Sequence, residues 1–359
     1  MRPGPVVGSV LLVLALSARP GTPAAATAPW DALPVVITDS LGRRVEIPAR
    51  VGRILSLEPE VTRIIVALGG GDRLVGIDFF LRNQDRLFPL LFPAGRALPV
   101  VSNQGQDLNF EIAMSLRPDI VFASPSEPTT ADAIARRLRA PVAALASIGR
   151  FRGLLEEMET IGRVLGREER AARLTEYFRT RLSDLAKTLG PVAAGAEPRV
   201  YLSFWGSLLR TPVAYEPVDA ARGANCAADV LPSYLGTAGA TVPIERVIRW
   251  DPDVILVQGN YPPRERTVTV EGVLGDPRLA SVRAVRSGRV HYTFGFWYWW
   301  DPALVLVESL YLARLFYPER LPGFDLEAEG NTVFKEFYGV DGAFTALDKV
   351  LGCHEWFRK

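Results

Sequence analysis

One local pattern occurs twice in this chain and limits its fold more than any other. It is a glutamate, six residues, then Pro-Asp followed by β-branched residues. It runs from Glu111 to Pro118-Asp119-Ile120-Val121 and again from Glu245 to Pro252-Asp253-Val254-Ile255. Physically this is a short helix, a Pro-Asp turn and a buried strand. Two strand openings repeat at a similar offset, residues 53–57 (Arg-Ile-Leu-Ser-Leu) and 199–203 (Arg-Val-Tyr-Leu-Ser). A repeat of this kind predicts two lobes of like construction.

Between the copies lies a rod. Ala171, Leu174, Phe178, Leu182, Leu185 and Leu189 follow helical steps, and the positions between them are mostly charged or polar. The spacing predicts an amphipathic helix over 167–189, ~35 Å long, ended by Gly190-Pro191. Further strands are expected at 74–77, 119–123, 141–145, 254–257 and 289–293. Glu58-Pro59-Glu60 opens a helix, with Pro in its first turn and acids at its positive end. Val61, Ile64, Ile65 and Leu68 form its buried stripe, and Gly69-Gly70-Gly71 stops it. The fold class is therefore α/β, with two Rossmann-like lobes joined by a long rigid helix and a ligand cleft between them. The expected divisions are an N-terminal lobe at 27–150, a helical segment at 151–190 and a C-terminal lobe at 191–359. In open α/β sheets ligands sit beyond the carboxyl ends of the strands, so two such edges would face each other across the cleft.

The first 26 residues read as a secretory signal peptide. Arg2 precedes an apolar run over 6–17, and Ala24-Ala25-Ala26 offers a small-x-small cleavage site. A run of twelve residues spans only ~18 Å as a helix, too short for a membrane anchor. No cysteine stands near the cleavage region, so no lipid anchor is expected. Removal of the leader takes Arg2 and Arg19 and no acid, which moves the formal charge from +1 to −1. Such a chain has no basic field for nucleic acid and reads as an exported monomer. Export permits a disulfide between Cys226 and Cys353, but spacing alone leaves two free thiols equally open. Two histidines cannot build a His-rich metal cage. His291 reads as a strand-packing imidazole and His354 as a residue of the terminal tail.

The sequence resembles the helix-linked (class III) periplasmic substrate-binding proteins of ABC importers, a group that includes ferric-siderophore, haem and cobalamin binders. The matching residues are Thr38-Asp39-Ser40-Leu41-Gly42-Arg43 with Pro48, the strand at 53–57, Ala67-Leu68-Gly69 and Asp72-Arg73-Leu74-Val75-Gly76. Both Glu-x6-Pro-Asp segments belong to the set, as do Asp276-Pro277, the run over 284–290 and Leu315-Phe316-Tyr317-Pro318-Glu319. The resemblance implies an ABC permease dimer with its ATPase as partner, a periplasmic location and no catalysis. It also implies that Glu111 and Glu245, one per lobe, dock onto the permease. Zinc and manganese importers of related fold need several cleft histidines, so a metal would arrive here as a chelate or an oxyanion.

Six aromatics fall within residues 294–300, Phe-Gly-Phe-Trp-Tyr-Trp-Trp, between a strand and a helix that Asp301 can cap. Phe296, Trp297, Trp299 and Trp300 are expected to wall the cleft. Phe79, Phe80 and Trp205 stand at other strand ends, and Tyr215 and Tyr261 are further aromatic candidates. Arg82, Arg210 and Arg264 are the candidate cationic contacts, with Arg266 beside the last. The first expectation for the ligand is a ferric siderophore. Cobalamin or another corrinoid, haem, and molybdate or tungstate are the alternatives. No Gly-x-Ser-x-Gly, paired-His or phosphate-loop pattern supports the competing class, a cleft enzyme such as a chelatase or hydrolase.

Overall fold

A computed structural model describes Met1, Gly4 and residues 34–102, 107–125, 128–233, 239–295 and 300–354. Residues 34–359 form one compact unit. Apart from Met1 and Gly4, the leader over 1–26 lies outside the described residues.

A hairpin, β1 (Val35–Thr38) with β2 (Arg44–Ile47), opens this unit. The first lobe then alternates strands and helices: β3 (Ile54–Ser56), α1 (Pro59–Ala67), β4 (Leu74–Ile77), α2 (Phe79–Asn83), α3 (Phe88–Leu91), α4 (Phe110–Ser115), β5 (Ile120–Ala123), α5 (Pro128–Leu138) and β6 (Val142–Ala144). Its sheet is parallel, in the order β4-β3-β5-β6. The connection is helical, α6 (Phe151–Leu165) followed by α7 (Glu168–Leu189). The second lobe restarts with β7 (Arg199–Ser203), β8 (Arg210–Pro212), α8 (Glu216–Ala220), β9 (Ala224–Asn225), β10 (Gly239–Thr241), α9 (Ile244–Trp250), β11 (Val254–Gln258), α10 (Val270–Leu274), α11 (Arg283–Arg286) and β12 (Val290–Thr293). Its parallel sheet runs β9-β7-β11-β12, while β8 pairs with β10 apart from it. Both sheets thus place their strands in the order second, first, third, fourth. The chain closes with α12 (Pro302–Phe316), α13 (Leu326–Tyr338) and α14 (Ala343–Leu351).

Covered on both faces by helices, these strands are mostly apolar, with Ser56 and Gln258 as polar ends, and every residue of β3, β5, β6 and β11 is buried. The two Glu-x6-Pro-Asp segments adopt one geometry. Arg117 (φ 43°) and Asp251 (φ 44°) end α4 and α9 in the left-handed region, each just before the proline. Asp119 then accepts from the amides of Gly52 and Arg53 at 2.8 Å each, and Asp253 accepts from that of Arg199 at 2.9 Å. The repeat in sequence is a repeat in structure.

The expected rod is α7, of 22 residues, and it does not stand alone. Helix α6 ends at Gly166 (φ 63°) and turns back along it. A Cβ at Gly162 would stand 2.6 Å from that of Ala171, so glycine lets the two helices close up. Helix α12 is buried on nearly all sides, between α7, α8 and α13. Helices α13 and α14 return to the first lobe, α13 against α1 and α14 against α3. Among the described residues, no helix is long and apolar enough to cross a membrane.

Candidate functional site at the facing sheet edges

A strand order of second-first-third-fourth has a topological switch where the first strand meets the third, and ligands bind outside the carboxyl ends there. In the first lobe that point lies between β3 and β5. Glu58 follows β3 and accepts a hydrogen bond from the Ser124 hydroxyl just past β5. The Thr62 hydroxyl fixes the local backbone, donating to the Glu58 carbonyl (2.9 Å) and lying in hydrogen-bond contact with the Ser56 hydroxyl (2.7 Å). Glu60 stands beside Glu58 in the first turn of α1, and both are buried. Burial raises both carboxyls, and Glu60 goes furthest because the Glu58 charge lies next to it. Of the two, Glu60 is the more strongly raised, and both its carboxyl oxygens are buried without a hydrogen-bond partner.

Two more carboxyls join this edge. Asp78, after β4, caps α2 by accepting from the amides of Phe80 (2.7 Å) and Leu81 (3.1 Å), and burial pushes it up to about 7. Glu157, on α6, is pushed up to about 8 by burial, against hydrogen bonds from Ser147. Oδ2 of Asp78 and Oε1 of Glu157 are buried without a hydrogen-bond partner. Carboxyls raised in this way keep a proton to higher pH than free ones, and a protonated carboxyl donates as well as accepts.

The second lobe's switch lies between β7 and β11. Trp205 (φ 53°) turns the chain after β7, and its amide donates to Oε1 of Gln258 at the end of β11. Asn260, two residues on, is 1% exposed, and neither Oδ1 nor Nδ2 has a partner. Gly295 (φ 107°) faces both side chains: a Cβ there would lie 3.0 Å from Cγ of Gln258 and 3.4 Å from Cγ of Asn260. The loop after β11 is held from behind. Arg266 donates to the carbonyls of Tyr261 and Gly259 (3.0 Å each) and of Leu351, and its guanidinium lies 3.9 Å from the Tyr292 ring centre. The Cys353 thiol donates to the Gly259 carbonyl at 3.0 Å.

Aromatic rings join the two edges at their base. Phe151, at the start of α6, stacks on Trp300 at 6.0 Å and meets Phe178 edge-on at 5.2 Å. Trp300 meets Tyr215, which meets Phe204 edge-on at 5.5 Å, and the Tyr215 hydroxyl donates to the Gly295 carbonyl at 3.2 Å. Behind the rings, Arg63 of α1 bonds Asp85 at 2.5 Å and lies 3.3 Å from Asp301, the N-cap of α12, to which the Tyr338 hydroxyl also donates. At the opposite rim, Arg86 of the first lobe pairs with Glu265 of the second at 3.0 Å, both exposed.

The structure distributes the expected site residues unevenly. Phe79, Trp205 and Tyr261 are half-buried at the strand ends. Arg82 is half-buried and donates to the carbonyls of Arg96 and Leu98. Arg210 and Arg264 are exposed. Phe80, Tyr215 and Trp300, expected on the cleft wall, pack in the core at 6, 1 and 1% exposure, because burying their rings against Phe151 and its neighbours removes large apolar area from water. Phe296, Trp297 and Trp299 lie outside the described residues. Glu111 and Glu245 are exposed in the first turns of α4 and α9. Cys226 and Cys353 are buried free thiols. His354 is not a tail residue: it is buried, with Nδ1 2.7 Å from Oδ1 of Asp348. His291 is held neutral, its pKa lowered to about 4 by burial and by Arg289. Among the described residues, no group of three or more His, Cys, Asp or Glu side chains could hold a metal ion.

Sequence reasoning missed Glu58, Glu60, Asp78, Glu157, Gln258 and Asn260 as site residues. All but Glu157 stand within four residues of a strand's carboxyl end, the one signal that could have found them.

A family model described as periplasmic binding protein matches residues 54–294. The molybdate-binding protein MolA of Haemophilus influenzae is 27% identical over 336 residues, covering 84% of this chain and 90% of the relative. A cobalamin-binding protein of Halobacterium salinarum is 26% identical over 262 residues, 69% of this chain and 68% of the relative. The molybdate-bound structure of MolA superposes with a TM-score of 0.72 at 23% identity, covering 86% of this chain and 98% of that one.

Proposed function

The chain belongs to the periplasmic binding protein family, and from that premise we propose that it is the solute-binding component of an ABC importer that captures a metal chelate. One observation carries this reading: the two lobes present buried polar groups at equivalent switch points, Glu58 with Ser124 in one and Gln258 with Asn260 in the other. Two such edges, joined through α6 and α7, are built to form a binding cleft. The leader over 1–26 would carry the chain to the periplasm, where N-terminal sequencing of the exported protein checks the cut after Ala26.

The character of the edges bears on the ligand. Arg63 is committed to Asp85 and Asp301, while Arg82 and Arg266 are committed to backbone carbonyls. The first-lobe edge is lined by carboxyls. A bare dianion gains little from such a surface, whereas a chelate with amide, hydroxamate or hydroxyl groups finds donors and acceptors. This favours a neutral or cationic ferric hydroxamate siderophore, then a corrinoid. The second reading is molybdate, supported by the 27% identity to MolA. Tryptophan-fluorescence titration of the mature protein with ferrioxamine B, cyanocobalamin, haemin and sodium molybdate tests both. Saturable micromolar or tighter binding of a chelate is expected. Binding of molybdate alone overturns the chelate reading, and no binding at all removes the support for a solute-binding role.

A further inference from the structure

Asn260 spends a buried amide on nothing inside the protein. It is 1% exposed, and neither its Oδ1 nor its Nδ2 has a hydrogen-bond partner. Buried polar side chains are nearly always satisfied, because a desolvated amide without a partner destabilises the fold. Two residues earlier, Gln258 faces the same neighbour, Gly295, and is satisfied by the Trp205 amide. The site is not loose. The backbone that carries Asn260 is fixed on both sides, by Arg266 and Cys353 on the Gly259 carbonyl and by Arg266 on the Tyr261 carbonyl. A rigid loop that presents an unpaired donor and an unpaired acceptor at a switch point is a preorganised recognition element.

We infer that Asn260 reads a matched donor–acceptor group on the bound solute, a secondary amide, carboxamide or N-hydroxyamide. This rests on the solute-binding reading above and narrows its ligand class. A fully deprotonated oxyanion offers acceptors only and would leave Oδ1 unpaired, so the pairing selects against it. The residue contributes specificity at a cost in ligand-free stability.

Asn260→Leu and Asn260→Ala are compared with the wild-type mature protein in two measurements. Isothermal titration uses whichever of ferrioxamine B and cyanocobalamin the wild type binds, with molybdate as control. Melting of the ligand-free proteins gives the second readout. The expected result is a loss of chelate affinity of at least about fivefold with a ligand-free melting temperature unchanged or raised. A smaller loss, or a melting temperature lowered by more than ~2 °C in both variants, overturns the inference. Alanine cannot overpack the site, so it decides the matter if the leucine variant does not fold. Should neither chelate bind the wild type, the chelate reading fails separately. The melting comparison still decides, because an amide satisfied within the protein lowers stability when removed and an unpaired one does not.

Discussion

At the scale of single residues, burial sets protonation at the first-lobe edge. Glu157 is held protonated up to about 8, against an ordinary glutamate value of 4.5. Between those limits the folded chain binds more protons at this site than the unfolded chain. Its contribution to stability is therefore full below 4.5 and lost as pH rises through about 8. Asp78 acts with the same sign between 3.8 and about 7. The ligand-free protein should accordingly melt at progressively lower temperature from pH 5 to pH 8.5. Glu157→Gln, neutral at every pH, should flatten that slope, and an unchanged slope in the variant would show that Glu157 is ionised in the fold. Arg63 poses the opposite case. It is fully buried between the carboxylates of Asp85 and Asp301, so Arg63→Met strands two buried acids. A loss of about 3–5 kcal/mol in chemical denaturation is expected. A loss below 1 kcal/mol would mean that both acids are neutral without it.

At the scale of elements, the repeated helix–turn–strand shows why much of this fold was legible. Its strands are short, apolar over 120–123 and 254–257 and preceded by Pro-Asp, so local chemistry and tertiary burial agree there. Helix α12 was marked equally well, with Asp301 accepting from the amides of Ala303 (2.9 Å) and Leu304 (3.0 Å) as its sequence implies. The site was less legible, because which face of an aromatic or a carboxyl meets solvent depends on what packs from elsewhere in the chain. Trp300 is drawn inward by Phe151, 149 positions away, and no local pattern announces that pairing. Glu58 and Glu60 look like ordinary helix-start acids, and only the arrangement of the strands buries them. The repeat also carries a strain of its own. Arg117 is exposed and held at φ 43°, a left-handed conformation that favours glycine. Its carbonyl, not its side chain, is what Arg53 uses. Arg117→Gly should therefore stabilise the protein by about 0.5–1 kcal/mol in urea denaturation, and a loss would show that the side chain matters.

At the scale of the whole molecule, the two lobes are tied by helices α6 and α7 along one side, by the ring stack from Phe204 to Phe178 at the base, by the Arg63–Asp301 contact behind it, and by α13 on α1 and α14 on α3. Across the rim runs the exposed Arg86–Glu265 pair, worth at most about 1 kcal/mol. Such a body opens at its rim far more easily than at its base, so ligand capture should alter the scattering radius little. With lobes that move little, two surface points can keep a fixed separation, which suits delivery to a two-fold permease. Glu111 and Glu245 occupy like positions on like helices, each exposed in a first turn and followed by the same Pro-Asp strand. A partner presenting two basic sites would meet one glutamate on each lobe. Reversing both, Glu111→Lys with Glu245→Lys, should abolish solute uptake in cells while titration of the purified variant gives the wild-type affinity. Each single reversal should leave partial uptake, since one contact remains. Uptake that survives the double reversal would exclude these residues from docking, and a parallel loss of affinity would place their effect in the cleft instead.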